Sequence, residues 1–175
     1  TSSSPDSIYV LMNQPIRGNI PACLYNMPNL TTLHLSGNAI EGNVIDNDTG
    51  QQLLYTKKNF KNKKFEIIID DGSHLLSDII HNFKFFSRFL KKGGYYVVED
   101  YNYPKYYNFL NDTKKELLFD KIIKKIKYKT LFSSSILDKI DQKFFHKNIK
   151  NIQTYKGLMK ESGRNISNIV FFEFK

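Results

Sequence analysis

The sequence is short of groups that would tie the chain together covalently or anchor it in a membrane. Cys23 is the single cysteine among 175 residues, which excludes an internal disulfide and a zinc site built from cysteines. We expect it to be a small buried side chain rather than a reactive thiol. No apolar run approaches the roughly 20 residues of a membrane helix, and the first residues do not resemble a signal peptide. We therefore expect a globular, cytoplasmic protein.

Arginine is also scarce, although the net charge is +9: only three of the 26 basic residues are arginines. Clustered basic side chains would indicate nucleic-acid binding, because they release counterions from phosphates. Here the lysines are scattered through 57–64, 84–92 and 114–128. We interpret them as solvated faces, and nucleic-acid binding ranks last among the functions considered.

A short internal repeat marks the first part of the chain. Residues 16–20 and 40–44 share one pattern, Ile-x-Gly-Asn followed by an aliphatic residue, and lie 24 residues apart. Residues 8–45 resemble the extracellular type of leucine-rich repeat, whose consensus continues into Gly-x-Ile-Pro, as at Gly18–Pro21. The second copy has Ile45 in place of the proline. About one and a half repeats are too few to bury a solenoid core, so this piece should not be stable alone.

The chain changes character after this segment. Residues 46–51 read DNDTGQ, a polar and turn-prone run, and the lysine-rich part follows. We therefore predict a boundary near residue 47, with a leucine-rich-repeat-like segment over 1–47 and an α/β domain over 48–175 that begins with a helix at about 51–59.

The pattern after residue 64 predicts a strand, a helix and a second strand. Residues 65–69 form a β-branched run typical of a strand covered on both faces. Apolar residues then recur at helical spacing over 75–90, with Ser73 or His74 near the N-cap and a stop at Gly93-Gly94. Residues 95–98 form the second strand. This order predicts a right-handed crossover between parallel neighbours.

The remaining chain completes the predicted α/β fold. Helices are expected over 117–126 and, more weakly, over 133–142, and strands over 151–158 and 169–174. The last two strands form the antiparallel pair that closes many α/β sheets. The fold class is thus α/β, a partial Rossmann-like sheet of about four strands, preceded by the short repeat segment.

Acidic residues follow both predicted strands of the crossover. Asp70 and Asp71 end the first strand, and Glu99 and Asp100 end the second. Ligands of open α/β sheets bind at the carboxyl ends of the strands, so we expect these four side chains to converge. Because carboxylates at close quarters repel one another and hard cations prefer oxygen ligands, the pattern indicates a magnesium site.

His74 follows Asp71 closely and has two interpretations. Beside a metal, an imidazole with a near-neutral pKa would accept a proton from a hydroxyl. Taken alone, Asp-Gly-Ser-His is a good turn and helix cap, and the motif by itself favours this role over catalysis. His81, further along the helix, is interpreted as a packing or surface residue.

The stretch from Phe65 to Tyr107 resembles class I S-adenosylmethionine-dependent methyltransferases of the group that includes macrolide and sugar O-methyltransferases. The shared features are an apolar strand, Asp-Asp-Gly-Ser-His, a helix, Leu-Lys-Lys-Gly-Gly, and a strand ending in Glu-Asp. The resemblance implies S-adenosylmethionine and Mg²⁺ as cofactors and His74 as the base. It implies Asp71, Glu99 and Asp100 as metal ligands and Asp70, Gly72 and Ser73 as cofactor contacts.

The sequence departs from that group in one respect. Its members begin with a strand and a Gly-x-Gly loop against which the cofactor lies, and no Gly-x-Gly occurs in these 175 residues. Residues 41–46 imitate the strand end that meets the adenine, which makes Asp46 a further cofactor contact. The 24-residue repeat explains the same glycine equally well.

Two functional hypotheses follow. The first is an O-methyltransferase of a small hydroxylated acceptor or sugar, inactive if the cofactor half is absent, with Tyr101, Tyr103 and Tyr106 either lining the acceptor pocket or packing. The alternative is a leucine-rich-repeat module that binds a protein partner, with the α/β part as scaffold. The contrast in composition also suggests a chimeric, truncated origin.

Overall fold

The computed structural model describes residues 6–8, 30–34, 64–158, 160–161 and 163–175. The strands are β1 (Asp6–Ile8), β2 (Leu30–His34), β3 (Phe65–Asp70), β4 (Leu90–Val98), β5 (Ile149–Lys156), β6 (Lys160–Glu161), β7 (Arg164–Asn165) and β8 (Asn168–Phe174). The helices are α1 (Leu76–Phe86), α2 (Tyr103–Tyr106), α3 (Phe119–Lys127) and α4 (Lys139–Asn148). Short 3₁₀ turns lie at Ser87–Phe89 and Asn108–Leu110.

Six of the described strands form one sheet in the order β1-β2-β3-β4-β8-β5. The first four run parallel, and β8 runs antiparallel to both β4 and β5. β6 and β7 form a separate two-stranded ladder. The parallel neighbours β3 and β4 and the antiparallel pair β5 and β8 confirm the mixed α/β architecture predicted from the sequence.

The sheet is wider than the four strands predicted, because β1 and β2 extend it into the repeat segment. Asp6 pairs with Leu30, and these partners have the same 24-residue separation as the two repeat copies. The leucine-rich-repeat interpretation stays a prediction, since 9–29 and 35–63 lie outside the described residues. So do Cys23, Asp46, the boundary near residue 47 and the helix expected at 51–59.

The turn from α1 into β4 corrects the sequence prediction. The helix ends at Phe86, and β4 begins at Leu90 instead of after the two glycines. Gly93 has a φ of +79° and lies within β4, where the pairing with β3 changes register. A Cβ on Gly94 would lie 2.9 Å from the Glu66 carbonyl oxygen. The glycines therefore allow a bulge and a close strand approach rather than capping the helix.

The described helices α1, α3 and α4 pack in one hydrophobic core with the sheet. Phe83 of α1 is fully buried, with its ring centroid 4.3 Å from that of Phe145 in α4 and 4.5 Å from that of Phe172 in β8. Burial of one such side chain contributes roughly 1.5–3 kcal/mol. Ile67 of β3 is 37% exposed, so the expected cover on both faces is incomplete among the described residues.

The C-terminal helix begins later than its weak pattern predicted. Asp138 accepts hydrogen bonds from the backbone N–H groups of Ile140 and Asp141, and Asp141 caps Asp138 in return. This capping box starts α4 at Lys139 rather than at residue 133. The longest described helix has 11 residues, and none of the described helices meets the length and hydropathy required to cross a bilayer.

Candidate functional site

The parallel strands β3 and β4 end side by side. Asp70 pairs with Val98, and the backbone N–H of Glu99 donates to the Asp70 carbonyl oxygen at 2.9 Å. The two chains therefore leave the sheet at the same level and at the same edge, as the strand-end rule for α/β sheets predicts. Side chains of the two following loops can thus meet.

Three of the sequence-predicted site residues come together at this edge. Asp71, His74 and Asp100 each place one ligand atom within 4.8 Å of the other two, and all three residues are half-buried. His74 Nε2 lies 3.8 Å from Asp71 Oδ1. The cluster combines two carboxylates with one imidazole that remains reachable from solvent.

Unusual backbone conformations hold two of these residues. His74 has a φ of +59° and Asp100 a φ of +51°. This left-handed region is sterically costly for residues with a Cβ, although Asp and His tolerate it better than most. Such conformations persist when the surroundings enforce them, and they concentrate at functional sites. The local fold thus turns both side chains toward the cluster at a cost in backbone strain.

Tyr103 links the two sides of the cluster. Its ring centroid lies 4.8 Å from that of His74, and its hydroxyl is hydrogen-bonded to the Asp100 side chain. Burial and the Asp100 carboxylate raise the Tyr103 pKa to about 12. The sequence left open whether Tyr103 lines an acceptor pocket or packs, and it did not indicate these contacts with His74 and Asp100. A turn also joins the two residues, because the Tyr103 N–H donates to the Asp100 carbonyl oxygen at 2.9 Å.

Glu99 stands beside the cluster rather than within it. It is half-buried, and burial raises its carboxyl pKa, with further contributions from the charges of Asp71 and Asp100. The structure therefore brings together two of the three predicted metal ligands, Asp71 and Asp100, and places His74 beside them. Burial is the main cause of the raised Glu99 pKa, and the neighbouring Asp71 and Asp100 carboxylates add to it; a cation bound between these acids would oppose that second contribution.

Asp70 points into the interior and is 2% exposed. Its Oδ2 accepts a hydrogen bond from the Tyr96 hydroxyl at 3.0 Å, and its Oδ1 accepts one from Asn82 Nδ2 at 3.3 Å. Burial raises its pKa from 3.8 to about 7, against the opposing effect of these hydrogen bonds. This placement weighs against the cofactor contact predicted for Asp70. Asn82 was missed by the sequence analysis, although a polar residue bordering the apolar stripe of α1 was a signal.

The remaining predicted cofactor contacts lie in the loop before α1. Ser73 Oγ donates to Asp78 Oδ2 at 2.5 Å and accepts from the Leu75 N–H at 3.3 Å. Neither Ser73 nor His74 is the N-cap: that position is Leu75, which makes no side-chain cap. Gly72 is half-buried, and a Cβ there would lie 3.2 Å from Asp70 Oδ1. Asp46 lies outside the described residues.

The donor set fits magnesium. The Asp71 and Asp100 carboxylates supply hard oxygen ligands, and Mg²⁺ ordinarily keeps several waters when one or two carboxylates hold it. Imidazole is a poorer ligand for this ion, so His74 suits a proton acceptor at the edge of the site. For S-adenosylmethionine the fit is limited among the described residues, because Asp70 is buried and the Ser73 hydroxyl is engaged.

Comparison with known proteins gives structural matches alone. No family model matches the sequence, and no curated protein matches it. Three matching crystal structures are of the MycE methyltransferase from the mycinamycin biosynthetic pathway. All three are complexes with Mg and SAH, and one of them also contains mycinamycin VI.

The three matches have low sequence identity and partial coverage. The complex with mycinamycin VI matches at a TM-score of 0.50 and 20% identity over 77% of this chain and 31% of that one. One of the two complexes without mycinamycin VI matches at a TM-score of 0.50 and 16% identity, over 87% of this chain and 46% of that one. The other matches at a TM-score of 0.46 and 22% identity, over 69% of this chain and 30% of that one. The chain thus spans less than half of the length of these proteins. The likeness shows a methyltransferase fold.

Proposed function

We propose that this chain carries the metal- and acceptor-binding part of an S-adenosylmethionine-dependent, magnesium-assisted O-methyltransferase that acts on a hydroxyl of a small molecule or sugar. The observation that carries the proposal is the meeting of Asp71, His74 and Asp100 at the ends of two parallel strands. The two MycE structures that match at a TM-score of 0.50 support it, since both are complexes with Mg and SAH and one also contains mycinamycin VI.

In this proposal Asp71 and Asp100 would hold the magnesium ion, with Glu99 as a neighbouring carboxylate that could contribute to the site. A bound divalent cation positions the acceptor oxygen and lowers the pKa of its hydroxyl. The chain's own part is to hold the carboxylates in place, and for Asp100 the left-handed backbone and the hydrogen bond with Tyr103 do so. A rigid donor set favours one position for the acceptor.

His74 is the proposed general base. The acceptor hydroxyl gives its proton to the imidazole as the new O–CH₃ bond forms, while the S–CH₃ bond breaks. S-adenosylmethionine, when bound, supplies that methyl group as a sulfonium. Asp71 Oδ1, 3.8 Å from Nε2, stabilises the imidazolium that results, and the Tyr103 ring limits how far the imidazole can rotate.

Calorimetric titration with MgCl₂ tests the metal site. We expect binding by the purified chain, and at least a roughly tenfold loss of affinity in Asp71→Asn, since a ligand is removed. Glu66→Gln is the matched control: it removes one negative charge from the other end of β3, where Glu66 pairs with Lys91 at the surface. An equal loss in both variants would indicate general charge attraction and would sink the metal site.

A second titration tests the cofactor. Without a Gly-x-Gly loop we expect S-adenosylmethionine to bind only at millimolar concentration, more strongly in the presence of Mg²⁺. Absence of heat at millimolar ligand would contradict methyl transfer by this chain and leave the shared fold unaffected.

A further inference from the structure

A row of aromatic rings leads outward from the acid cluster. It begins with His74 and Tyr103, whose ring centroids are 4.8 Å apart, continues with Tyr107 at 5.5 Å from Tyr103, and ends with Phe109 at 5.9 Å from Tyr107. The rings are tilted by 59°, 73° and 49° from one to the next. All three aromatic residues follow Asp100 in the chain. Tyr103 begins α2, Tyr107 comes directly after α2, and Phe109 lies in the following 3₁₀ turn.

Burial decreases along this row. Tyr103 and Tyr107 are half-buried, whereas Phe109 is 76% exposed. An exposed Phe ring leaves a large apolar area in water, and apolar surface continuous with a polar site is typical of ligand-binding clefts. The row therefore offers apolar faces to a molecule whose polar end lies at Asp71 and Asp100.

We propose that Tyr103, Tyr107 and Phe109 form an acceptor-binding surface that contacts the apolar part of a hydroxylated acceptor while its hydroxyl reaches the cluster. This inference rests on the proposed function and names the residues that set its acceptor preference. Stacking or edge contacts of tilted rings favour a ring-shaped apolar substituent next to the polar end. A small polar acceptor fills only the cluster and gains nothing from Phe109.

The test uses two probes that differ in the apolar part alone, phenyl β-D-glucopyranoside and methyl β-D-glucopyranoside. Binding to the full chain in the presence of Mg²⁺ is followed by NMR of the aromatic side chains. We expect the phenyl glucoside to bind more tightly and to shift the Phe109 and Tyr107 signals. Phe109→Ala should weaken phenyl glucoside binding about fivefold to tenfold and leave methyl glucoside binding unchanged.

Tyr128→Ala is the matched control, because Tyr128 is 74% exposed at the end of α3 and its removal deletes a comparable ring elsewhere. The control should leave the binding of both probes unchanged. Equal effects of the two variants, unchanged binding in Phe109→Ala, or no phenyl glucoside binding at 20 millimolar (about the highest practical concentration for such weak ligands) would overturn the inference.

The failure of this surface is distinguishable from the failure of the metal site. Loss of Mg²⁺ binding with intact, Phe109-dependent binding of phenyl glucoside would refute the metal-assisted mechanism and support the aromatic surface. Normal Mg²⁺ binding with no dependence on Phe109 would do the reverse.

Discussion

Asp70→Asn isolates the contribution of one buried carboxyl group to stability. The substitution keeps the size of the side chain, and an amide can both accept from Asn82 and donate to the Tyr96 hydroxyl. It removes the ability to ionise in a position that is 2% exposed. If Asp70 anchors the end of β3 from the interior, its ionisation must oppose folding.

The magnitude follows from the pKa, which burial raises from 3.8 to about 7 in the folded chain. Below pH 3.8 the carboxyl is protonated in both states, and its contribution to stability is fully present. As the pH rises from 3.8 through 7, the carboxyl group ionises in the unfolded chain before it does so in the folded chain, and stability is lost. The rise corresponds to about 4 kcal/mol in all, of which about 2.5 kcal/mol falls between pH 5 and pH 8.

Urea unfolding at several pH values, with a chelator present, measures this difference. The free energy of unfolding of the wild type should fall relative to that of Asp70→Asn by about 2.5 kcal/mol as the pH rises from 5 to 8. Tyr96→Phe removes a hydrogen bond that lowers the Asp70 pKa and should extend the loss to higher pH. If the free energies of unfolding of Asp70→Asn and the wild type changed in parallel with pH, the buried position of Asp70 would be refuted and the predicted cofactor contact would again be open to it.

Two further substitutions test the packing that supports the site. Asp141→Asn removes the buried acid that pairs with Lys84 at 2.8 Å and Arg88 at 2.6 Å. Because both cations are partly exposed, we expect the free energy of unfolding in urea to fall by about 2 kcal/mol. No loss would mean that the two ion pairs do not contribute to stability. Gly94→Ala would bring a Cβ to 2.9 Å from the Glu66 carbonyl oxygen; we expect a fall in Tm corresponding to roughly 1–3 kcal/mol, and an unchanged Tm would contradict the close approach of β3 and β4.

The sequence predicted β3, α1 and β4 because the hydrophobic periodicity of these segments and the acidic residues after both strands are local patterns. The predicted end of α1 was wrong because apolar residues recur at helix-compatible positions up to Phe89 and Leu90, through the end of the helix, the 3₁₀ turn and the start of β4. Periodicity cannot separate these states over so few residues. A glycine such as Gly93 also fits a helix C-cap and a strand bulge equally well, since both need left-handed backbone.

The start of α4 depended on contacts between distant residues. Ser134 and Ser135 donate to the carboxylate of Glu116 at 2.5–2.6 Å, 18 and 19 residues away, which holds residues 133–135 out of the helix. These hydrogen bonds also lower the Glu116 pKa, outweighing the effect of burial, which raises it. No local signal reveals such a partner, whereas the Asp138 cap was available in the sequence.

At the site, the strand-end rule anticipated that acids from β3 and β4 would meet. It did not separate Asp70 from Asp71, although the alternation of side chains along a strand sends consecutive residues to opposite sides. The contact between His74 and Tyr103 arises from the left-handed backbone at His74 and Asp100. That conformation is set by the loops as a whole, so sequence spacing alone could not indicate it.

Addition of Mn²⁺, followed through the histidine ring signals by NMR, tests whether Asp71 and Asp100 bind one divalent cation next to His74. We expect the His74 signal to broaden beyond detection at substoichiometric Mn²⁺. The signal of His146, which lies where α4 leads into β5 at the opposite edge of the sheet, should persist, and Asp100→Asn should abolish the selective effect. Equal broadening of both histidines, or none at His74, would contradict binding of the cation at this site.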